Sequence, residues 1–191
     1  MSRALILVDL QPTFCEGGEL PTEGANAVAQ ACADFARAHR RDYAVIATTQ
    51  DWHIDPGSHF SDHPDFVDTW PPHGVAETPN AALHPALAGF IPDVVVKKGQ
   101  YAASYSGFDG TDLDDRSLED ALRVRGVDAV DVVGLVLSHC VAQTALDAQR
   151  KGFATRVFTD LSVPVSPELG EAAVAQMRDA GIDVTTSSEV F

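Results

Sequence analysis

Basic residues are scarce in this chain. Thirteen Lys and Arg stand against 28 Asp and Glu, a formal net charge of −15. A nucleic-acid partner is therefore disfavoured, because phosphate binding leaves a basic footprint. The acids are scattered rather than gathered in a tail, which reads as a solvated surface. Cysteine is equally sparse. Cys15, Cys32 and Cys140 form an odd set, which is no disulfide framework and fits a reducing compartment. Long apolar runs are missing. Ala4–Val8, near the amino terminus, ends at an acid and is too short for a signal-peptide core or a membrane span. Internal repeats, low-complexity tracts and linker-like stretches are also lacking. The expectation is one cytoplasmic domain, residues 1–191, a monomer or small homo-oligomer, with no membrane or nucleic-acid partner.

What is present is an alternation of two periodicities. Short apolar runs occur at Ala4–Val8, Tyr43–Thr48, Val94–Val96, Ala129–Val136 and Ala154–Thr159, with a weaker one at Ile182–Thr186. Such runs suit strands buried on both faces of a parallel sheet. Between them, Glu23–Arg40 repeats apolar residues at helical spacing, and Ser117–Arg125, Val141–Lys151 and Glu168–Ala180 do likewise. Gly126, Gly152 and Gly181 follow helical patterns where a C-cap glycine belongs. Strand–helix alternation implies βαβ units. The expected fold is α/β: a three-layer, doubly wound, mostly parallel six-stranded sheet with helices on both faces. The stretch from Asp51 to Pro92 breaks the rhythm, with dense Pro and His. A connection this long is usually functional.

In open parallel sheets, ligands bind beyond the carboxyl ends of the strands. Asp9 ends the first run, Asp51 and His53 follow the second, Lys97 and Lys98 end the third, and Ser138, His139 and Cys140 follow the fourth. An acid, a base and a thiol are thereby gathered at one edge. A thiol at a helix amino terminus is expected to have a lowered pKa, and a neighbouring lysine would lower it further, favouring a nucleophile. Cys32 and Cys15 read better as packing residues. Asp9, after five apolar residues, is expected to be partly buried with a raised pKa, suited to shuttling a proton. Lys97 and Lys98 point to opposite faces by strand parity, and the pattern does not choose between them.

The irregular stretch opens with Asp51-Trp-His53, followed by His59 and His73, with His63 and His84 nearby. Imidazole and carboxylate together suit one divalent ion, Zn, Fe or Mn. Spacing does not select the ligands. Phe14, just beyond Asp9, and Trp70, just before His73, can each stack on a flat ring.

Several stretches, in order and spanning almost the whole chain, carry a resemblance. They are Ala4–Gly18, Asp51–Phe60, Trp70–His73, Lys98–Tyr101, Tyr105–Phe108, Val132–Val136 and His139–Thr144. The chain resembles the nicotinamidase/pyrazinamidase members of the isochorismatase-like cysteine hydrolases. The resemblance implies a triad of Asp9, Lys98 and Cys140, choosing Lys98 because the family's lysine precedes a glycine. It implies metal ligands Asp51, His53, His59 and His73, and ring contacts from Phe14 and Trp70. It also implies an oxyanion hole from the backbone N–H groups of Val136 and Cys140, with a cis peptide between Leu135 and Val136. The expected substrate is nicotinamide, with pyrazinamide as a second. The competing expectations are another amide or carbamoyl hydrolase of the family, and a non-catalytic metal-binding protein. Ser138 and Gly74 stand where close relatives carry an acid and a cysteine, and Leu10-Gln-Pro-Thr replaces a more usual segment containing Asn-Asp. None of these departures removes a candidate side chain.

Overall fold

The computed structural model describes residues 1–191. Its centre is a sheet of six strands: β1 (Arg3–Val8), β2 (Val45–Asp51), β3 (Val94–Lys98), β4 (Ala129–Leu135), β5 (Ala154–Val163) and β6 (Asp183–Thr185). The spatial order is β3-β2-β1-β4-β5-β6. Every neighbouring pair is parallel, so the sheet is parallel throughout rather than mostly. Helix α1 (Ala25–Ala38) covers one face. Helices α2 (Leu118–Arg123), α3 (Ala142–Arg150) and α4 (Pro167–Asp179) cover the other.

Period-two alternation explains why β1 is apolar without interruption. Ala4, Ile6 and Val8 join the core beneath α2, α3 and α4, whereas Leu5 and Leu7 pack beneath α1. Burying each large aliphatic side chain contributes about 1.5–3 kcal/mol. One charge lies inside this frame. Asp131 in β4 is fully buried and is satisfied by Arg3 at 2.5 Å, Arg156 at 2.6 Å and the Tyr43 hydroxyl at 2.7 Å.

Two strands outrun their apolar pattern. β2 continues past Thr48 to Asp51 because its backbone stays in register with β3, ending on the pair Asp51–Lys98. β5 continues past Thr159 to Val163, through a register shift opposite Val132–Gly134. In both, ladder hydrogen bonds extend the strand where side-chain hydropathy does not. The stretch after β2 is irregular as expected. It contains short single turns at Gly57–His59, Pro79–Ala81 and Pro85–Leu87. It is cross-braced by the bridges His53–Val75 and Phe60–Trp70.

From the adjacent strands β1 and β4 the chain winds outward in opposite directions. That reversal opens a crevice beyond their carboxyl ends. No helix is long and apolar enough to cross a membrane.

Candidate active site

Four elements deliver polar groups to this crevice. A single π-helical turn, Leu137–Val141, links β4 to α3, and Cys140 lies within it rather than at the first residue of α3. β4 reaches the turn by pressing against β1. A Cβ built on Gly134, whose φ is 120°, would lie 2.2 Å from the Val8 carbonyl oxygen, so only glycine fits. The Leu135–Val136 peptide is cis, as the resemblance implies.

Cys140 is buried, 6% exposed. Its thiol pKa is raised, not lowered as its place beside a lysine at a helix start suggests. Burial pushes it well above the ordinary value. Lys98 pulls it down, but Asp9 and Asp51 push it up again. Cys15 is raised to about 11 by burial, with Glu16 adding to the rise, and Cys32 is also raised by burial.

Asp9 follows β1 with a left-handed backbone, φ 46°, a conformation that costs a non-glycine residue about 1–3 kcal/mol. Thr49 of β2 holds it there. The Asp9 N–H donates to the Thr49 carbonyl and hydroxyl oxygens, each at 3.2 Å, and the Thr49 hydroxyl donates to Asp9 Oδ1 at 2.6 Å. Burial raises the Asp9 pKa, with Lys98 opposing and Asp51 assisting. Asp9 Oδ2 accepts no well-directed hydrogen bond, although Lys98 Nζ is 3.0 Å away.

Lys98 is fully buried. Its ammonium pairs with Asp51 Oδ1 and Asp9 Oδ2, donates to the Ser104 carbonyl at 3.2 Å, and lies 3.6 Å from Cys140 Sγ. Burial alone would lower its pKa. Asp51 and Asp9, then Cys140, outweigh that and raise it well above the ordinary value. Lys97 points the other way and sits over the Trp52 ring, 3.3 Å from its centroid.

Asp51 has two roles. Oδ1 faces Lys98, whereas Oδ2 lies 3.6 Å from His53 Nε2 and 3.7 Å from His73 Nε2. Burial works to raise its pKa, but the Lys98 ammonium holds it well below the carboxylate range. One ligand nitrogen from each of His53, His59 and His73 lies within 4.8 Å of the others. The rings fit a metal. His53 Nδ1 lies 2.6 Å from the Gly99 carbonyl, and His73 Nδ1 lies 2.8 Å from the Pro71 carbonyl. A carbonyl only accepts, so both Nδ1 atoms carry the proton and both Nε2 atoms offer lone pairs. His53 Nε2 and His59 Nδ1 are buried with no protein partner. Ligands about 2.1 Å from one ion stand about 3–4 Å apart, which matches the Asp51 separations. The other two histidines are elsewhere. His63 is exposed, and His84 caps the Pro85–Leu87 turn through Nδ1 and meets Asn26 through Nε2.

These groups open onto one cleft. Phe14, Leu20, Trp70, Leu135, Val136 and Val165 wall it, and Asp51, His59, His73 and Cys140 also face it. The expected aromatics are therefore both present, Phe14 on the His73 side with ring centroids 5.9 Å apart. Sequence reasoning missed the residues that fix the walls. Trp70 Nε1 donates to the Tyr105 hydroxyl at 3.0 Å, and its ring meets His139 edge-on at 5.8 Å. The Ser138 hydroxyl bonds His139 Nδ1 at 2.9 Å and accepts the Val165 N–H at 3.2 Å, joining two lips of the cleft. Burial lowers the His139 pKa, which favours the neutral imidazole. Thr49 carried little signal, because Thr48 beside it is an equally buried hydroxyl.

Residues 3–189 match the isochorismatase domain model. The chain is 49% identical to the nicotinamidase/pyrazinamidase of Mycobacterium tuberculosis over 186 residues, covering 97% of this chain and 100% of that one. Pyrazinamidase of Pyrococcus horikoshii, solved in complex with zinc, superposes with a TM-score of 0.83 at 30% identity, covering 97% and 99% of the two chains. PnC1 from L. infantum, solved in complex with nicotinate, superposes at 0.84 with 31% identity, covering 98% and 93%.

Proposed function

The chain belongs to the isochorismatase family, and from that premise we propose that it hydrolyses nicotinamide to nicotinate and ammonia through a thioester on Cys140. Pyrazinamide, which keeps a ring nitrogen meta to the same carboxamide, is the proposed second substrate. The observation that carries this reading is the placement of one buried ammonium, Lys98 Nζ. It lies beside Asp9 and Cys140 and is paired through Asp51 with the histidine cluster.

The residues then take the following roles. Phe14 and Trp70 hold the heteroaromatic ring in the cleft. Asp51, His53, His59 and His73 would hold a divalent ion, zinc, iron or manganese, which when bound supplies a Lewis-acid anchor for the ring nitrogen. The Cys140 thiol is raised by burial, and Asp9 is a raised carboxylate whose Oδ2, ion-paired with Lys98, accepts no well-directed hydrogen bond. The proton therefore passes from sulfur to Asp9 as the sulfur attacks the amide carbon, rather than leaving a standing thiolate beforehand. Lys98 stays charged and balances the negative charge that moves between sulfur and carboxylate. Backbone N–H groups of Val136 and Cys140 form the oxyanion hole, where a donor is typically worth about 3–4 kcal/mol. The C–N bond breaks as Asp9 returns the proton to the departing ammonia. Water, deprotonated by Asp9, then hydrolyses the thioester, releasing the acid and restoring the thiol.

The same reading assigns the whole chain, 1–191, to one hydrolase domain working in cytoplasmic NAD salvage, as a monomer or small homo-oligomer. Its test is ammonia release from nicotinamide by purified wild type and Cys140→Ala. The variant is expected at the uncatalysed background. Wild-type turnover by the variant would refute the mechanism.

A further inference from the structure

The loop bearing Asp51, His53, His59 and His73 leaves the end of β2 with little regular structure to bring its ends together. A side chain from another element joins them. Gln11, in the turn after β1, is fully buried. Its Oε1 accepts the Asp51 N–H at 2.8 Å. Its Nε2 donates to the Asp51 carbonyl at 2.9 Å and to the Ala81 carbonyl at 2.7 Å. The carboxamide thus stands where a neighbouring strand's peptide would stand, satisfying both backbone groups of Asp51. It also ties them to Ala81, where the loop returns. Gln50 makes a second bond to the same Ala81 oxygen at 2.8 Å. Further along the turn, the Thr13 hydroxyl accepts the Gly74 N–H at 3.0 Å, beside His73.

The clamp needs one acceptor and two donors in a planar group of this length. Glutamine supplies them. Glutamate has the same shape, but its ionised carboxylate has no proton to donate to either carbonyl. The Asp51 carboxylate that the clamp positions faces Lys98 with one oxygen and two imidazoles with the other.

We propose that Gln11 is the positioning residue of this loop. By holding both backbone groups of Asp51 and the Ala81 carbonyl, it sets the separation of the proposed metal ligands. Through Asp51 it also sets the place of Lys98 beside Asp9 and Cys140. The inference rests on the preceding reading that Asp51, His53, His59 and His73 bind a divalent ion. Outer partners of metal ligands are commonly worth about 10–100-fold in metal affinity.

The test is zinc affinity of the metal-stripped protein, measured by competition with a chromogenic chelator, with circular dichroism to verify folding. Gln11→Glu is expected to weaken zinc about tenfold or more. Gln50→Ala removes only the second bond to Ala81 and is expected to bind zinc within about twofold of wild type. A folded Gln11→Glu protein that binds zinc as tightly as wild type overturns the proposal. So does an equal loss in both variants, which would make loop closure in general, not the hold on Asp51, the determinant. If Gln11→Glu does not fold, Gln11→Asn keeps the amide but falls one methylene short, and the same tenfold criterion applies. Wild type that binds no zinc would instead refute the metal reading itself.

Discussion

Lys98→Met removes one charge from a buried arrangement while keeping most of the apolar stem. In the native protein the ammonium is fully buried and paired with two buried carboxylates, Asp9 and Asp51. Removing one partner of a buried pair typically costs about 3–5 kcal/mol, because the remaining charge is stranded without water. The metal-free variant is therefore expected to unfold with about 3–5 kcal/mol less free energy than metal-free wild type at pH 7, out of a usual total of about 5–15 kcal/mol. The sign of the pH dependence follows from the same contacts. Asp51 is held well below its ordinary value against the pull of burial, chiefly by Lys98. A depressed carboxylate adds stability above its unfolded pKa and loses it as pH falls through the folded one. Lys98 is held well above its ordinary value, so its stabilisation is complete through neutral pH and fades only in strong alkali. The substitution deletes both contributions. Burial then drives Asp9 and Asp51 to take up protons on mild acidification, which neutralises what was stranded. The stability gap should therefore narrow from pH 7 towards pH about 4.5, near the ordinary Asp range.

The assay is urea denaturation of chelator-treated wild type and Lys98→Met at both pH values. Asp9→Asn added to Lys98→Met should recover part of the loss, since it removes one stranded charge. A gap below about 1 kcal/mol at pH 7, or one equal at both pH values, would refute the claim that Lys98 neutralises these carboxylates. Ammonia release by Lys98→Met is expected to fall to the level of Cys140→Ala.

Stripping the metal, or replacing His53 by alanine, should depress nicotinamide turnover, and adding zinc back should restore the stripped wild type but not the variant. Unchanged kinetics after verified metal removal would exclude a metal role. Thr49→Val removes a hydrogen bond that lowers the Asp9 pKa, against the larger effect of burial. Asp9 must be ionised to take the thiol proton, so the acid limb of the kcat/KM profile should move to higher pH; an unmoved limb counts against Asp9 as the base. Ser138→Ala unties His139 from Val165. At about 1 kcal/mol per hydrogen bond, it should raise KM about fivefold or more with kcat changed less. An equal fall in kcat with KM constant would place Ser138 in the chemistry instead of the cleft wall.

The residue types and their gathering at one sheet edge were legible in the chain because they depend on few variables. Once short apolar runs alternate with helical ones, parallel strands follow, and Asp9, Asp51, Lys98 and Cys140 must lie near one another beyond the strand ends. The choice between Lys97 and Lys98 was not legible from the pattern. Val94, Val95 and Val96 are all apolar and give parity nothing to act on. The structure resolves it through the register of β3 on β2, which sets Lys98 opposite Asp51. The ligand histidines were legible as a group but not singly. His59 and His73 are brought in by bridges that the loop makes with itself, whereas His63, only four residues beyond His59, stays at the surface.

Electrostatics was the least legible part, and Cys140 shows why. Its place after β4 and its lysine neighbour both argued for a lowered thiol pKa. Both arguments are local or pairwise, and the answer is a sum over the whole pocket. The sheet and helices bury the sulfur almost fully, and the same crossing of strands that brings Lys98 within 3.6 Å also brings Asp9 and Asp51. Burial and two carboxylates outweigh one ammonium, so the sulfur rests as a thiol. That outcome constrains the chemistry more tightly than a lowered pKa would. A standing thiolate could alkylate at any time, whereas a buried thiol needs its base at the moment of attack. Asp9, itself raised and with an Oδ2 that accepts no well-directed hydrogen bond, is the group placed to take that proton. Alkylation of Cys140 by a small neutral electrophile should therefore depend on Asp9. Asp9→Asn should slow it, even though removing a neighbouring negative charge would by itself favour the thiolate. Faster alkylation in that variant would mean that charge repulsion, not proton acceptance, is what Asp9 contributes.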